Sequence, residues 1–408
     1  VPGLPRPASP PPRLPYTAAH EPDRPPERRS PCAQRPGSPV SHGRHPRADS
    51  LFDDGEPERA PADEPATPVA PAPVSDELRR LGRHLAASVH LGTSSWSFPG
   101  WRGLVYAGSH SESRLAREGL AAYAAHPLLR AVGIDRSYHR PLAQSEFERY
   151  AAEAPPQLRF VVKAPALISD ALTRAEGGLP AADNAHFLDA ELAAQCFVRP
   201  ALLGLGARAA VLVFQLAPLP PALARGAAPA LIERIGAFLE ALPKSVAGLA
   251  PVYAVELRNA ELLTPRLVRT LRTAGARLCL GIHARMPPAA RQAAALHAMD
   301  DAQASGESWR LAGPLVARWS LHAGLRYEEA RRRYAPFDRL LDPDLATRGV
   351  LAHLIHVAIR SQQPAYVIVN NKAEGSAPLS CIELARAVLG WARPPPDLGQ
   401  APPWPEPV

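Results

Sequence analysis

The chain has 408 residues, 46% apolar and 21% charged, with a formal net charge of +7. That leaves room for a large core and excludes a collagen-like repeat, a disulfide-rich mini-domain and a long coiled coil. Of 49 prolines, 20 fall in the first 75 positions and 7 in the last 15. Over residues 1–75, nine Arg and ten acidic residues nearly cancel. Such a segment is predicted to be a disordered tail, too polar to offset its ordering entropy. Residues 393–408 read as a second Pro-rich disordered tail, and residues 76–392 as one folded body.

Lysine occurs three times (Lys163, Lys244 and Lys372) against 43 arginines, which points to a GC-rich coding bias behind the basic charge. No arginine run exceeds three, at Arg331 to Arg333. A nucleic-acid partner is therefore allowed by the charge but not favoured. No apolar run approaches the ~20 residues of a membrane span. Pro and Arg interrupt the first residues before the apolar stretch of a leader could form. The expectation is a cytoplasmic chain with no membrane partner. Four cysteines, Cys32, Cys196, Cys279 and Cys381, lack metal-like spacing and read as free thiols.

Eight short β-type runs follow in order, at residues 89–94, 131–135, 159–163, 210–215, 252–257, 277–281, 315–320 and 365–370. Each is mostly apolar over four or five residues, as a strand buried on both faces requires. Helical patterns separate them, at residues 115–125, 145–152, 185–196, 229–242, 264–273, 291–299, 327–341 with 345–360, and 378–389. In the clearest, Leu231, Ile232, Ile235, Phe238, Leu239 and Leu242 make one stripe at the helix period. Eight strands, each followed by helix, predict an α/β chain folded as a (β/α)8 TIM-type barrel. Insertions fall at residues 164–183, 283–314 and 321–363. A doubly wound open sheet is the alternative, because periodicity does not see closure.

Barrel sites form at the C-terminal mouth, so the residues closing each strand carry the functional reading. They are Ser94 and Trp96; Asp135, Ser137 and His139; Lys163; Gln215; Glu256 and Arg258; His283; Trp319 and His322; Asn370, Asn371 and Lys372. So many polar terminators exceed what turns require. Asp135, Ser137 and His139 share one alternation phase, as do Ala254, Glu256 and Arg258. Glu256 follows small Ala254 on that phase and is predicted to face the lumen. A carboxylate there needs a partner, which Arg258, Lys163 or His283 can supply. A structural ion-pair layer plugging the barrel is the plainer reading of the same residues.

After the last strand, Lys372, Gly375 and Ser376 lead into a helix with Pro378 in its first turn. Free N–H groups there favour a phosphate or carboxylate, with an ordinary capped helix start as the alternative. Trp96 and Trp101, around Phe98, Pro99 and Gly100, read either as a wall over the mouth or as packing tryptophans. His353 and His356 read as amphipathic-helix histidines, because no Asp or Glu flanks them.

These residues resemble the YecE-like proteins, the family labelled domain of unknown function 72, from about His90 to Leu389. The resemblance rests on Gly92-Thr-Ser-Ser-Trp96 with Trp101-Arg-Gly103, Ile134-Asp-Arg-Ser-Tyr-His139, Phe160-Val-Val-Lys-Ala-Pro165, Val213-Phe-Gln-Leu-Ala-Pro218, Tyr253-Ala-Val-Glu-Leu-Arg258 and Val369-Asn-Asn-Lys-Ala-Glu-Gly375. Two departures mark a divergent subgroup. Asp135-Arg-Ser-Tyr-His139 stands where the commoner pattern has a Glu-x-Asn-Ser-Thr-Phe-Tyr-like run, and Ala217-Pro218 where it has two prolines. The resemblance implies a TIM-type barrel without a settled activity; its fold relatives include metal-dependent sugar isomerases and apurinic endonucleases.

The leading expectation is an enzyme or binder acting on a phosphorylated or carboxylated small molecule, with no cofactor. Asp135, Glu256, Lys163 and His283 are the candidate catalytic residues. Arg258, Asn370, Asn371, Lys372, Gly375, Ser376, Gln215 and Trp96 are the candidate substrate- or anion-binding residues. The alternative is metal-assisted phosphodiester or sugar chemistry on a divalent ion held by Asp135, Glu256 and His283, with His139 or His322 in support. Lys163 and Arg258 would repel such a cation. A nucleic-acid binder without catalysis and a scaffold recruiting partners through its Pro-rich tail complete the field.

Overall fold

In the computed structural model, which describes residues 67–175, 179–301 and 308–390, the apolar runs become strands. In chain order these are β1 (Val89–Thr93), β2 (Leu129–Ile134), β3 (Arg159–Lys163), β4 (Leu172–Arg174), β5 (Pro180–Asp183), β6 (Ala209–Gln215), β7 (Tyr253–Glu256), β8 (Arg277–Ile282), β9 (Leu315–Trp319) and β10 (Ala365–Val369). Eight of them run parallel in the order β1-β2-β3-β6-β7-β8-β9-β10, and β10 pairs back onto β1 from Val89↔Ala365 to Thr93↔Val369. That last ladder closes a TIM-type barrel and removes the open-sheet alternative. β4 and β5 are an antiparallel hairpin in the insertion after β3.

Alternation divides the barrel residues between two apolar clusters. One phase packs into the lumen: Ala131, Val161, Val211, Val213, Ala254, Cys279, Val316, Tyr366 and Ile368. The other faces the helices, with Val132, Ile134, Phe160, Val162, Leu212, Phe214, Val255, Leu278, Leu280, Ala317, Trp319, Val367 and Val369 in the larger core. The helix Ala228–Ala241 buries the predicted stripe of Leu231, Ile232, Ile235, Phe238 and Leu239.

Where the elements differ from the expectation, local chemistry accounts for most of it. The 115–125 helix is two, Glu112–Glu118 and Leu120–Ala124, meeting at Gly119. The pattern at 327–341 stops at Tyr334, two residues before Pro336, because the residue before a proline disfavours helix. The helix of 185–196 begins at Ala190 and runs on through a π-helical turn, Ala194–Val198, into Arg199–Leu205. Residues 69–72, read as tail, are packed on the barrel. Val69 and Ala72 are buried, and the Ala72 N–H donates to the Val105 carbonyl at 2.8 Å. Residues 1–66 and 393–408 of the two expected tails, with Cys32, lie outside the described residues, as do 391–392. Cys279 and Cys381 are free buried thiols, as read; Cys196 is disulfide-bonded, contrary to that reading.

Gly92 sits where β1 shifts register against β2. A Cβ on it would lie 1.9 Å from the Ala131 carbonyl oxygen, a clash with backbone that no rotamer relieves. Gly92→Ala is expected to lower stability by about 1–3 kcal/mol or more, read as a lower denaturation midpoint in urea with an unchanged slope.

Candidate functional site

The lumen phase ends in polar residues at the C-terminal mouth. Val161 leads to Lys163, Val213 to Gln215, Ala254 to Glu256, Val316 to Arg318 and Ile368 to Asn370, each two positions along. Asp135 follows β2 in the same phase. Apolar side chains therefore fill the lower lumen and a charged layer closes it on top.

Arg318 is the centre of that layer. Its Nη2 donates to both Asp135 carboxylate oxygens, at 2.7 and 2.5 Å, and its Nη1 to Glu256 Oε2 at 2.6 Å and Gln215 Oε1 at 3.1 Å. Arg258 approaches Glu256 Oε1 with its Nη1 at 2.7 Å and donates from Nη2 to Gln215 Oε1 at 2.9 Å. The first of these contacts is an ion pair without aligned hydrogen-bond geometry, so the Nη1 protons of Arg258 have no directed acceptor among the described residues. Glu256 is fully buried. Burial works to raise its pKa, but Arg258, Arg318 and Lys163 outweigh burial and hold the carboxyl below its ordinary value. Gly281 on β8 gives this side chain room, since a Cβ there would lie 3.0 Å from Glu256 Cγ.

Two lysines join the layer without joining the ion pairs. Lys163, 2% exposed, lies with its ammonium 3.7 Å from the centre of the Tyr138 ring. Burial first, and then the positive charges of Arg318 and Arg258, lower its pKa to about 7 against the pull of Asp135 and Glu256. Lys372, 5% exposed, lies 4.3 Å from the centre of the Tyr327 ring. Its pKa falls to about 8, through burial and Arg331, against Glu328 and Asp135. His283, half-buried, is lowered to about 4 by burial and Arg258, and its Nδ1 accepts the Arg285 N–H at 3.2 Å.

The remaining candidates divide. Asn370 lies in the mouth, its Nδ2 donating to Ser94 Oγ at 2.8 Å and its Oδ1 accepting the Lys372 N–H at 3.0 Å. Asn371 is turned to the interior, where its Oδ1 accepts from Trp101 Nε1 at 3.1 Å and from the Ala377 N–H at 2.8 Å. It therefore caps the last helix, Ala377–Gly390. Gly375 approaches backbone closely, but the backbone is the chain's own: a Cβ on it would lie 2.4 Å from the Arg339 carbonyl. With Gly375 and Ser376 buried under that segment and Glu374 paired to Arg348 at 2.8 Å, the helix start is an enclosed, capped one. Trp96 turns outward, its Nε1 on the Leu115 carbonyl at 3.1 Å and its ring edge-on to Tyr150, so it is a packing tryptophan. Trp101 is wholly buried. Ser137 and His139 do not share the direction of Asp135, because Arg136–Tyr138 is a 3-10 turn and alternation ends with the strand. Ser137 Oγ donates to the carbonyls of Ile134 and Lys163, and His139 is exposed.

Arg318 was not singled out in the sequence, where it lies inside the apolar run of β9 rather than at its end. The signal was available: it stands two residues after Val316, on the lumen phase. Its position also bears on the metal alternative. Asp135 and Glu256 are bridged by a guanidinium, and no group of three or more His, Cys, Asp or Glu that could hold a metal ion occurs among the described residues. No helix of these residues is long and apolar enough to cross a membrane. Removing one partner of a buried charge network leaves the others unpaired. Arg318→Met is expected to cost about 3–5 kcal/mol of folding stability, measured by chemical denaturation at neutral pH. Pairing holds the Glu256 carboxyl below its unfolded value, so that deficit shrinks as pH falls and the wild-type pairing is itself lost.

No characterised protein matches the sequence. Two solved structures of DUF72 family proteins resemble the fold. One, from Enterococcus faecalis, is 17% identical with a TM-score of 0.48, the match covering 76% of this chain and 98% of that one. The other, from Thermotoga maritima, is 18% identical at the same TM-score and covers 74% and 99%. A structure described as a methyltransferase from Methanosarcina mazei is 11% identical, at a TM-score of 0.38 over 77% and 96%. At TM-scores of 0.48 and 0.38 these neighbours carry no argument about this chain. The family model described as protein of unknown function DUF72 matches residues 90–405, nearly the whole barrel and beyond, and the chain belongs to that family.

Proposed function

We propose that the C-terminal mouth of the barrel binds a small molecule carrying a carboxylate or phosphate and performs acid–base chemistry on it. One observation carries this reading. Four cationic side chains, Lys163, Arg258, Arg318 and Lys372, share the mouth with two carboxylates, Asp135 and Glu256, and all six are buried or nearly so. Both carboxylates are taken up by the arginines. The lysines are left over, and a buried positive excess is relieved by an anion. In this reading Arg258, Lys372, Asn370 and Gln215 hold the anionic group. Lys163 accepts or delivers a proton near neutral pH, where its lowered pKa makes both forms available. Asp135 and Glu256 hold the guanidinium groups in place, and neutral His283 at the rim relays protons.

Calorimetric titration with oxalate and with inorganic phosphate tests the binding half. Measurable affinity is expected, reduced about tenfold to a hundredfold in Lys372→Ala, the range of one charge-assisted contact. Unchanged affinity in that variant, or none in the wild type, overturns the reading. The lysines also set a pH dependence. Their folded pKa values, about 7 and about 8, lie below the unfolded value, so the unfolded chain binds more protons between the two. Stability therefore rises with pH from about 7 towards 10. In Lys163→Met the part of that rise beginning near pH 7 is expected to vanish, as read from denaturation midpoints across the range.

A further inference from the structure

We propose that Lys163 is a covalent site, whose ε-amine condenses with the carbonyl carbon of a small carbonyl acid held by its carboxylate in the guanidinium pair above. This rests on the anion-binding reading and names the substrate class of the same mouth.

The argument begins with what Lys163 lacks. Among the described residues its ammonium makes neither ion pair nor hydrogen bond, and it lies over the face of Tyr138. The carboxylates that could neutralise it are spent: both oxygens of Asp135 receive Arg318, and Glu256 is shared by Arg258 and Arg318. A lysine kept only for charge balance would be paired. An amine buried beside two guanidinium groups is instead driven towards its neutral, nucleophilic form. The pKa of about 7 agrees with that geometry. The same guanidinium groups supply the second requirement: Arg258 Nη1 is held only by the unaligned ion pair to Glu256 Oε1 at 2.7 Å, so a substrate carboxylate can compete for it. The other lysines differ. Lys244 is exposed and donates to the Leu239 carbonyl at 3.0 Å. Lys372 lies by Tyr327, Glu328 and Arg331 rather than within the guanidinium pair.

In the reaction, the nitrogen lone pair forms a C–N bond as the carbonyl π pair moves onto oxygen. The proton released from nitrogen passes to that oxygen. A second proton transfer expels the oxygen as water, and the nitrogen lone pair closes the C=N bond. The net change is ammonium plus carbonyl giving iminium plus water, with charge conserved. Tyr138, on the 3-10 turn Arg136–Tyr138, covers the amine, so its ring must move aside for the substrate to enter.

With three lysines in the chain, trapping is readable site by site. The full-length protein is incubated with glyoxylate, reduced with borohydride, which delivers hydride to the iminium carbon, and digested for peptide mass analysis. The expected result is a carboxymethyl increment on Lys163 at several times the occupancy of Lys244. Oxalate, which offers the carboxylate without an aldehyde, should suppress labelling of Lys163 about tenfold and leave Lys244 unaffected. Tyr138→Ala should raise the rate at Lys163 severalfold. Labelling that leaves Lys163 bare in both the wild type and Tyr138→Ala overturns the proposal. If oxalate still binds by calorimetry in that case, only the covalent step falls; if it does not, the anion-binding reading falls as well.

Discussion

Arg318 accepts a constraint that no other residue of the barrel could meet. It stands on β9 with its guanidinium in the closed end of the lumen, and it touches side chains from β6, from β7 and from the residue just after β2 at once. A planar fork with five donors can serve two carboxylates and an amide together, whereas an ammonium would serve them one at a time. Asp135 and Glu256 come from strands far apart in sequence and would repel each other across the lumen without it. The rest of the mouth is arranged by consequence. Arg258 meets the second oxygen of Glu256, Gln215 joins the two arginines, and the lysines stay outside the direct ion pairs among the described residues.

The same network has a structural side. An ion-pair layer across the top of a barrel seals the lumen and fixes which strands face which, and this plainer role coexists with the proposed one. What separates a plug from a site is the remainder. A plug balances its charges. Here two amines sit above the balance, each under an aromatic ring, Tyr138 over Lys163 and Tyr327 over Lys372. Ring faces stabilise a cation without neutralising it.

Glycines give the layer its space. Gly281 opens room beside Glu256, and Gly92 lets β1 and β2 approach where the ladder shifts. At Gly375 the same permissiveness serves packing instead. Its positive φ and close approach answer the 339–341 segment, and the helix start behind it is capped by Asn371. A glycine before a helix predicts proximity to something, and the tertiary fold decides whether that is a ligand or the chain itself.

The eight strands were legible in the sequence because a strand buried on both faces must be apolar throughout, and that mark is local. The direction of Glu256 was legible for a related reason, since Ala254 fixed the phase and the phase continues for as long as the strand does. It failed beyond Asp135, where a 3-10 turn redirects Ser137 and His139. Arg318 stayed hidden inside an apolar run, because its role depends on carboxylates 183 and 62 positions away. Closure of the barrel, the pairing of charges and the outward turn of Trp96 are likewise settled by distant partners. Periodicity records what a residue's own element demands of it; which charge meets which across the lumen is decided only when the strands are brought round into a ring.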